Sequence, residues 1–132
     1  MLKSLNKVQK SAVQSFGKPV LIFAGAGSGK TRVLTHKIAY LANENLIPEK
    51  NILAVTFTNK AAQEMKIRVA SLNKKKTIEA TIGTFHSICA RILRKEIKNI
   101  GFTSDFTIFD VQDQISLSKV ILDEMKVAKD ML

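Results

Sequence analysis

Val20-Leu21-Ile22-Phe23 is an unbroken apolar tetrad that runs directly into Ala24-Gly25-Ala26-Gly27-Ser28-Gly29-Lys30-Thr31. A short apolar run without alternation predicts a strand buried on both faces, as in a parallel sheet. The glycines that follow let backbone N–H groups converge with no Cβ in the way. A helix opening at Lys30 adds partial positive charge at the same point. Strand, glycine-rich turn and helix in that order form a cradle for the phosphates of a nucleoside triphosphate. Lys30 would reach the β- and γ-phosphates, and the Thr31 hydroxyl would bind Mg2+. The strict pattern begins with glycine where this chain has Ala24, a mild departure because the convergence depends on the later glycines. The plain alternative is an ordinary glycine-rich strand–helix turn.

Around that loop, apolar runs alternate with helical periodicity, which predicts an α/β fold with a parallel sheet and flanking helices. Asn6 can cap a helix to about Phe16, ended by Gly17-Lys18-Pro19. The helix from Lys30 to about Asn43 places Val33, Leu34, Ile38, Leu41 and Ala42 on one face. Ile52 to Thr58 reads as a second strand, and Asn59 as the cap of a helix to about Leu72 with Ala61, Ala62, Met65, Val69 and Leu72 inward. Ile78 to Ile82 reads as a third strand. Phe85 to Ile100 is amphipathic, Ile88, Cys89, Ile92, Leu93 and Ile97 opposing Arg91, Arg94, Lys95 and Lys98, and Gly101 stops it. Asp110 is expected to cap a last helix carrying Ile115, Val120, Ile121 and Met125. His36 is expected to be solvated or bonded within its own helix, and Cys89 to be core.

The chain carries 21 Lys and Arg against 11 Asp and Glu, a net charge of +10 that points to nucleic acid or phosphate as partner. The charge is uneven. Residues 1–59 hold eight basic and two acidic side chains, residues 60–98 ten and three, and residues 99–132 three and six. A boundary near Gly101 follows. One cysteine builds no disulfide framework and no Cys/His cluster has metal-ligand spacing, so a disulfide module and a zinc finger are excluded. No charge-free run approaches the ~20 residues of a membrane span, and Met1 to Asn6 hold no apolar leader core, so a cytoplasmic location without membrane contact is expected. Asn59-Lys60-Ala61-Ala62 lacks the aspartate of a guanine-reading motif. Asp110 could be an acidic Mg2+ ligand but reads better as a helix cap.

Three further stretches join the phosphate loop: Leu5-Asn6-Lys7-Val8-Gln9-Lys10-Ser11-Ala12-Val13, Val55-Thr56-Phe57-Thr58-Asn59-Lys60-Ala61-Ala62, and Gly83-Thr84-Phe85-His86-Ser87. With Ala24 to Arg32, in this order and spacing, the chain resembles the N-terminal part of superfamily 1 DNA helicases of the UvrD/Rep/PcrA type. The resemblance covers about the first hundred residues. It implies a P-loop NTPase fold of RecA-like type, incomplete here, with residues 1–100 the first part of the ATP-binding motor domain. Residues 101–132 would begin an inserted helical subdomain.

The resemblance also implies roles. Gln9, whose amide can donate and accept together, would read the N6 and N7 edge of adenine. Gly25, Ala26, Gly27, Ser28 and Gly29 with Ala24, Lys30, Thr31 and Arg32 would hold ATP and Mg2+, Arg32 stacking on the base. Lys30 and Thr31 are the catalytic candidates. Phe57 would stack on bases of single-stranded DNA, with Thr58, Asn59 and Lys60 on a phosphate. Thr84, Phe85 and His86 repeat the arrangement at the next strand end and would contact the DNA backbone. Lys74 to Lys76 could add nonspecific attraction or simply be a solvated loop. All three loops would follow strand C-termini, so ATP and DNA would share one sheet edge. The implied parent is an ATP-dependent, 3′→5′ DNA helicase of repair or replication. It would act on single strands and on single-/double-strand junctions. Its remaining motifs would lie in the rest of the helicase chain, so these residues alone are expected to lack ATPase and unwinding. A noncatalytic ATP- or DNA-binding module from a truncated gene, and a small P-loop kinase, are the alternatives.

Overall fold

A parallel pair of strands is the centre of the fold in the computed structural model, which describes residues 1–44, 46–74 and 77–126. β1 (Leu53–Thr56) pairs with β2 (Thr81–Thr84) in the register Leu53↔Thr81 to Thr56↔Thr84. Parallel neighbours need a crossover, and the one here contains α3 (Asn59–Asn73). Ahead of β1 come α1 (Lys7–Gln14) and α2 (Lys30–Asn43). After β2 come α4 (Phe85–Glu96) and α5 (Val111–Glu124). The chain packs as two units, Met1–Arg91 and Ile92–Leu132.

In the first unit, α3 lies against β1, β2 and α2, and α1 lies against α2. The core joins Ile38 and Leu41 of α2, Met65 and Val69 of α3, and Ile52, Ala54, Ala80 and Ile82 in and beside the strands. The 3.6-residue spacing puts Met65 and Val69 on one face, and both are at most 2% exposed. Val13 seals α1, and the Lys37 ammonium of α2 donates to the Val13 and Ser15 carbonyls at the end of α1. Burial lowers the Lys37 pKa from the usual lysine value.

Several expectations are corrected. Val20–Phe23 is not a strand: β1 and β2 pair with each other, and among the described residues nothing ladders with the tetrad, whose side chains are 43–90% exposed. Apolar character favours burial, but a strand exists only where a neighbour accepts its hydrogen bonds. The glycine-rich loop and the two strand-end loops therefore do not share a sheet edge among the described residues. β1 is shorter than 52–58, and β2 begins three residues after Ile78. Thr58, not Asn59, caps α3 by accepting from the Ala61 N–H at 3.1 Å.

α2 spans the residues expected of it, but Leu34 stands on its exposed side. Cys89 is exposed rather than core. In the last stretch, α4 gives way to a 3-10 turn at Ile97–Ile100, and Gly101 closes it at φ 84°, a left-handed conformation that glycine adopts without a Cβ penalty. In the second unit the Arg94 guanidinium lies 5.1 Å from the centre of the Phe106 ring. Asp110 caps α5 with a full capping box to Asp113, so the cap reading holds over the Mg2+ reading. The apolar side chains Ile115, Val120, Ile121 and Met125 are exposed. Lys74 is the left-handed C-cap of α3, while Lys75 and Lys76 lie outside the described residues.

If the α2–α3–sheet contact is the core, Met65→Ala should destabilise by about 2–5 kcal/mol. Ile67→Ala, at a site 60% exposed on the same helix, should stay within about 0.5 kcal/mol. Urea unfolding of both variants checks the contrast, and equal losses would put the core elsewhere.

Candidate functional site

The glycine-rich loop takes its shape from two left-handed glycines, Gly27 at φ 75° and Gly29 at φ 88°. Gly29 is the N-cap of α2 and offers no capping side chain. Among the described residues, the opening N–H groups of the helix at Lys30, Thr31 and Arg32 meet no side-chain acceptor, and together with the helix dipole they favour an anion. Ser28 tightens the turn, its Oγ donating to the Gly25 carbonyl at 2.7 Å. The Lys30 Nζ folds back over the loop and donates to the carbonyls of Ala24 and Gly25, each at 2.7 Å. The expected phosphate ligands from Ala24 to Arg32 are thus gathered in one turn. Ala24 to Ser28 and Lys30 to Arg32 are exposed, and Gly29 is partly so.

Gln9 belongs to the same place. It occupies the third position of α1, where its N–H donates to Asn6 Oδ1 at 2.8 Å and its Oε1 accepts from the Asn6 N–H at 3.2 Å. Its Nε2 donates to the Ser28 carbonyl at 3.1 Å. A side-chain amide has two donor hydrogens and two acceptor lone pairs, so one of each is left over beside the loop. A Cβ on Gly29 would come within 2.9 Å of Gln9 Nε2. The close approach of α1 to the loop is therefore a second reason for glycine there. Arg32 does not lie free: its Nη2 donates to the Ser4 carbonyl at 2.7 Å. Thr31 is exposed, and its hydroxyl has no hydrogen-bond partner among the described residues. That fits one oxygen ligand of a Mg2+ ion held mainly by phosphates. No group of three or more His, Cys, Asp or Glu among the described residues is arranged to hold a metal by itself.

A second constellation sits at the strand ends. Because Thr56 and Thr84 are register partners in a parallel pair, Phe57 and Phe85 leave the sheet at the same end. Their ring centroids are 6.4 Å apart at 57°. Phe57 is 94% exposed and Phe85 57%, so neither ring is core. Asn59, Lys60 and His86 are exposed beside them. Thr58 is spent on capping α3. Thr84 is 7% exposed, and its Oγ1 accepts from the Ser87 N–H at 3.3 Å and donates to Ser87 Oγ at 3.1 Å. Thr84 therefore shapes the opening of α4, together with Ser87, rather than facing outward itself.

One participant escaped the sequence reading. Ser4 contributes a main-chain carbonyl, which carries no residue signature. His36 is bonded within its own helix, to the Arg32 carbonyl, as one of the two expectations had it; its burial at 6% exposure and its second bond, to Ser4, were not foreseen. Its place four residues after Arg32 is the one hint the sequence holds.

The UvrD/REP helicase N-terminal domain family matches residues 5–132. The ATP-dependent DNA helicase PcrA of Bacillus subtilis (strain 168) is 54% identical over 124 residues, which is 94% of this chain. The PcrA proteins of Staphylococcus epidermidis and Staphylococcus aureus are 52% and 51% identical over 122 residues, 92% of this chain. The chain spans 17% of the length of each of these relatives. The chain belongs to the UvrD/REP helicase N-terminal domain family.

Proposed function

We propose that these residues form the ATP-binding and single-stranded-DNA-binding part of the first motor domain of an ATP-dependent DNA helicase. The observation that carries the reading is the loop from Ala24 to Thr31. It joins an uncapped helix N-terminus, a lysine over the loop carbonyls and a glutamine amide with bonding capacity to spare. Membership of the helicase family and the PcrA relatives support it.

ATP would lay its phosphates on the first turn of α2, with Lys30 transferring from the Ala24 and Gly25 carbonyls to phosphate oxygens. Thr31 would hold Mg2+, which screens phosphate charge when bound. Gln9 would read adenine and Arg32 would lie along the base. Phe57 and Phe85 would stack on bases of a single strand, while Asn59, Lys60 and His86 contact its backbone. Thr58 and Thr84 would support those loops through the caps they make. The RecA-like type of the fold, the 3′→5′ direction and a repair or replication role rest on the family resemblance. So do the junction substrate and a cytoplasmic location. Residues 1–132 alone would bind without turnover, because no carboxylate is hydrogen-bonded at the phosphate loop among the described residues to hold metal or an attacking water.

Lys30→Ala should weaken ATP binding about tenfold or more, as expected for loss of a charge-assisted contact. Calorimetry on the unsubstituted chain and the variant checks it, and equal affinities would reject the phosphate-loop reading. Phe57→Ala should weaken binding of oligo-dT by about 1–3 kcal/mol. Lys60→Ala should lower the slope of log affinity against log salt by about 1. Salt titrations by fluorescence anisotropy measure both, and an unchanged Phe57→Ala affinity would remove the strand-end loops from the DNA site.

A further inference from the structure

His36 is buried one turn along α2 from Arg32, and no step of the reading above uses it. Its Nδ1 is 2.8 Å from the Arg32 carbonyl oxygen. A carbonyl only accepts, so Nδ1 carries the hydrogen and Nε2 presents a lone pair. Nε2 faces the Ser4 Oγ at 3.4 Å, and the hydroxyl donates to it. The main-chain carbonyl of the same Ser4 accepts from Arg32 Nη2 at 2.7 Å. Ser4 is therefore held twice from successive turns of α2, through its side chain by His36 and through its backbone by Arg32.

Two residues further on, Asn6 caps α1 and locks the Gln9 side chain in the capping box. The linkage runs from His36 to Ser4 by hydrogen bond, from Ser4 to Asn6 along the backbone, and from Asn6 to Gln9 through the capping box, with Arg32 tied to Ser4. It passes through both residues assigned to the base and through neither Lys30 nor Thr31.

We propose that His36 is a positioning residue for base selection. By anchoring Ser4 it sets the pose of Gln9 and Arg32 against the purine, without touching the nucleotide. Adenine offers an acceptor at N7 beside a donor at N6, where guanine offers two acceptors. An amide discriminates between them only while both of its bonds are well aligned, because hydrogen bonds weaken steeply off axis. A loose Ser4 degrades that alignment and leaves the phosphate contacts in place. The inference rests on the nucleotide reading above.

The test compares Mg2+ complexes of ATP, GTP and inorganic tripolyphosphate, titrated calorimetrically into the 132-residue chain. His36→Ala should lower the ratio of ATP to GTP affinity by about three- to tenfold, within the discrimination of one bidentate pair. Tripolyphosphate affinity should stay within about twofold. His36→Gln, whose amide reaches toward Ser4 as Nε2 does, should restore most of the ratio. Ser4→Ala changes only an exposed side chain and keeps the carbonyl that holds Arg32, so it should lower the ratio in the same direction with the fold intact. Equal weakening of all three ligands by His36→Ala would make His36 merely structural and overturn the proposal. So would an unchanged ratio in both His36→Ala and Ser4→Ala. An unsubstituted chain that does not prefer ATP to GTP would instead overturn the adenine reading, and this inference with it.

Discussion

The parallel pairing of Leu53–Thr56 with Thr81–Thr84 is the constraint on which the first unit turns. Parallel strands cannot be joined by a tight turn, so a helical crossover is required, and α3 meets the requirement with a face that buries Met65 and Val69. That face needs an opposite layer, which α2 supplies through Ile38 and Leu41. The start of α2 is in turn the end of the glycine-rich loop. A four-residue ladder thereby decides where the loop's helix can lie. The same ladder brings Phe57 and Phe85 side by side, because parallel strands in register finish together.

Around the loop the polar groups are arranged differently. Almost every candidate ligand is already bonded to protein: Gln9 to Ser28 and Asn6, Arg32 to Ser4, Lys30 to Ala24 and Gly25. Main-chain carbonyls dominate this set. Such contacts hold side chains in place before any ligand arrives and lower the ordering cost of binding. Two short structures at the N-terminus, the 3-10 turn at Leu2–Ser4 and α1, matter chiefly as holders of these groups.

Much of this was legible in the sequence where local chemistry decides the outcome. α2 begins at Lys30 because a glycine in left-handed conformation precedes it, and Asp110 caps α5 because its side chain can reach back to its own helix. Periodicity identified which residues share a face but not whether anything covers that face. Met65 and Val69 are buried, while Leu34, Cys89 and Ile92 are exposed at spacings that look equally good. Val20–Phe23 shows the same limit for strands: apolarity is local, whereas pairing needs a partner elsewhere in the chain. At the loop, the motifs pointed to Gln9, Lys30 and Arg32, which the structure brings to one place. The adjacency of two phenylalanines 28 positions apart depended on register, and the Ser4 carbonyl has no sequence signature at all.

The resting bonds of Lys30 have a consequence for what can enter the loop. An incoming molecule does not find an idle ammonium; it has to outbid two carbonyls at 2.7 Å. A neutral acceptor offers no advantage over them, because one uncharged oxygen replaces another. An oxyanion does, since its full negative charge attracts the ammonium more strongly than a carbonyl dipole can. On the proposed phosphate reading the loop would favour polyphosphates over nucleosides and sugars, with the Lys30 ammonium as the group competed for and two backbone carbonyls as its resting partners.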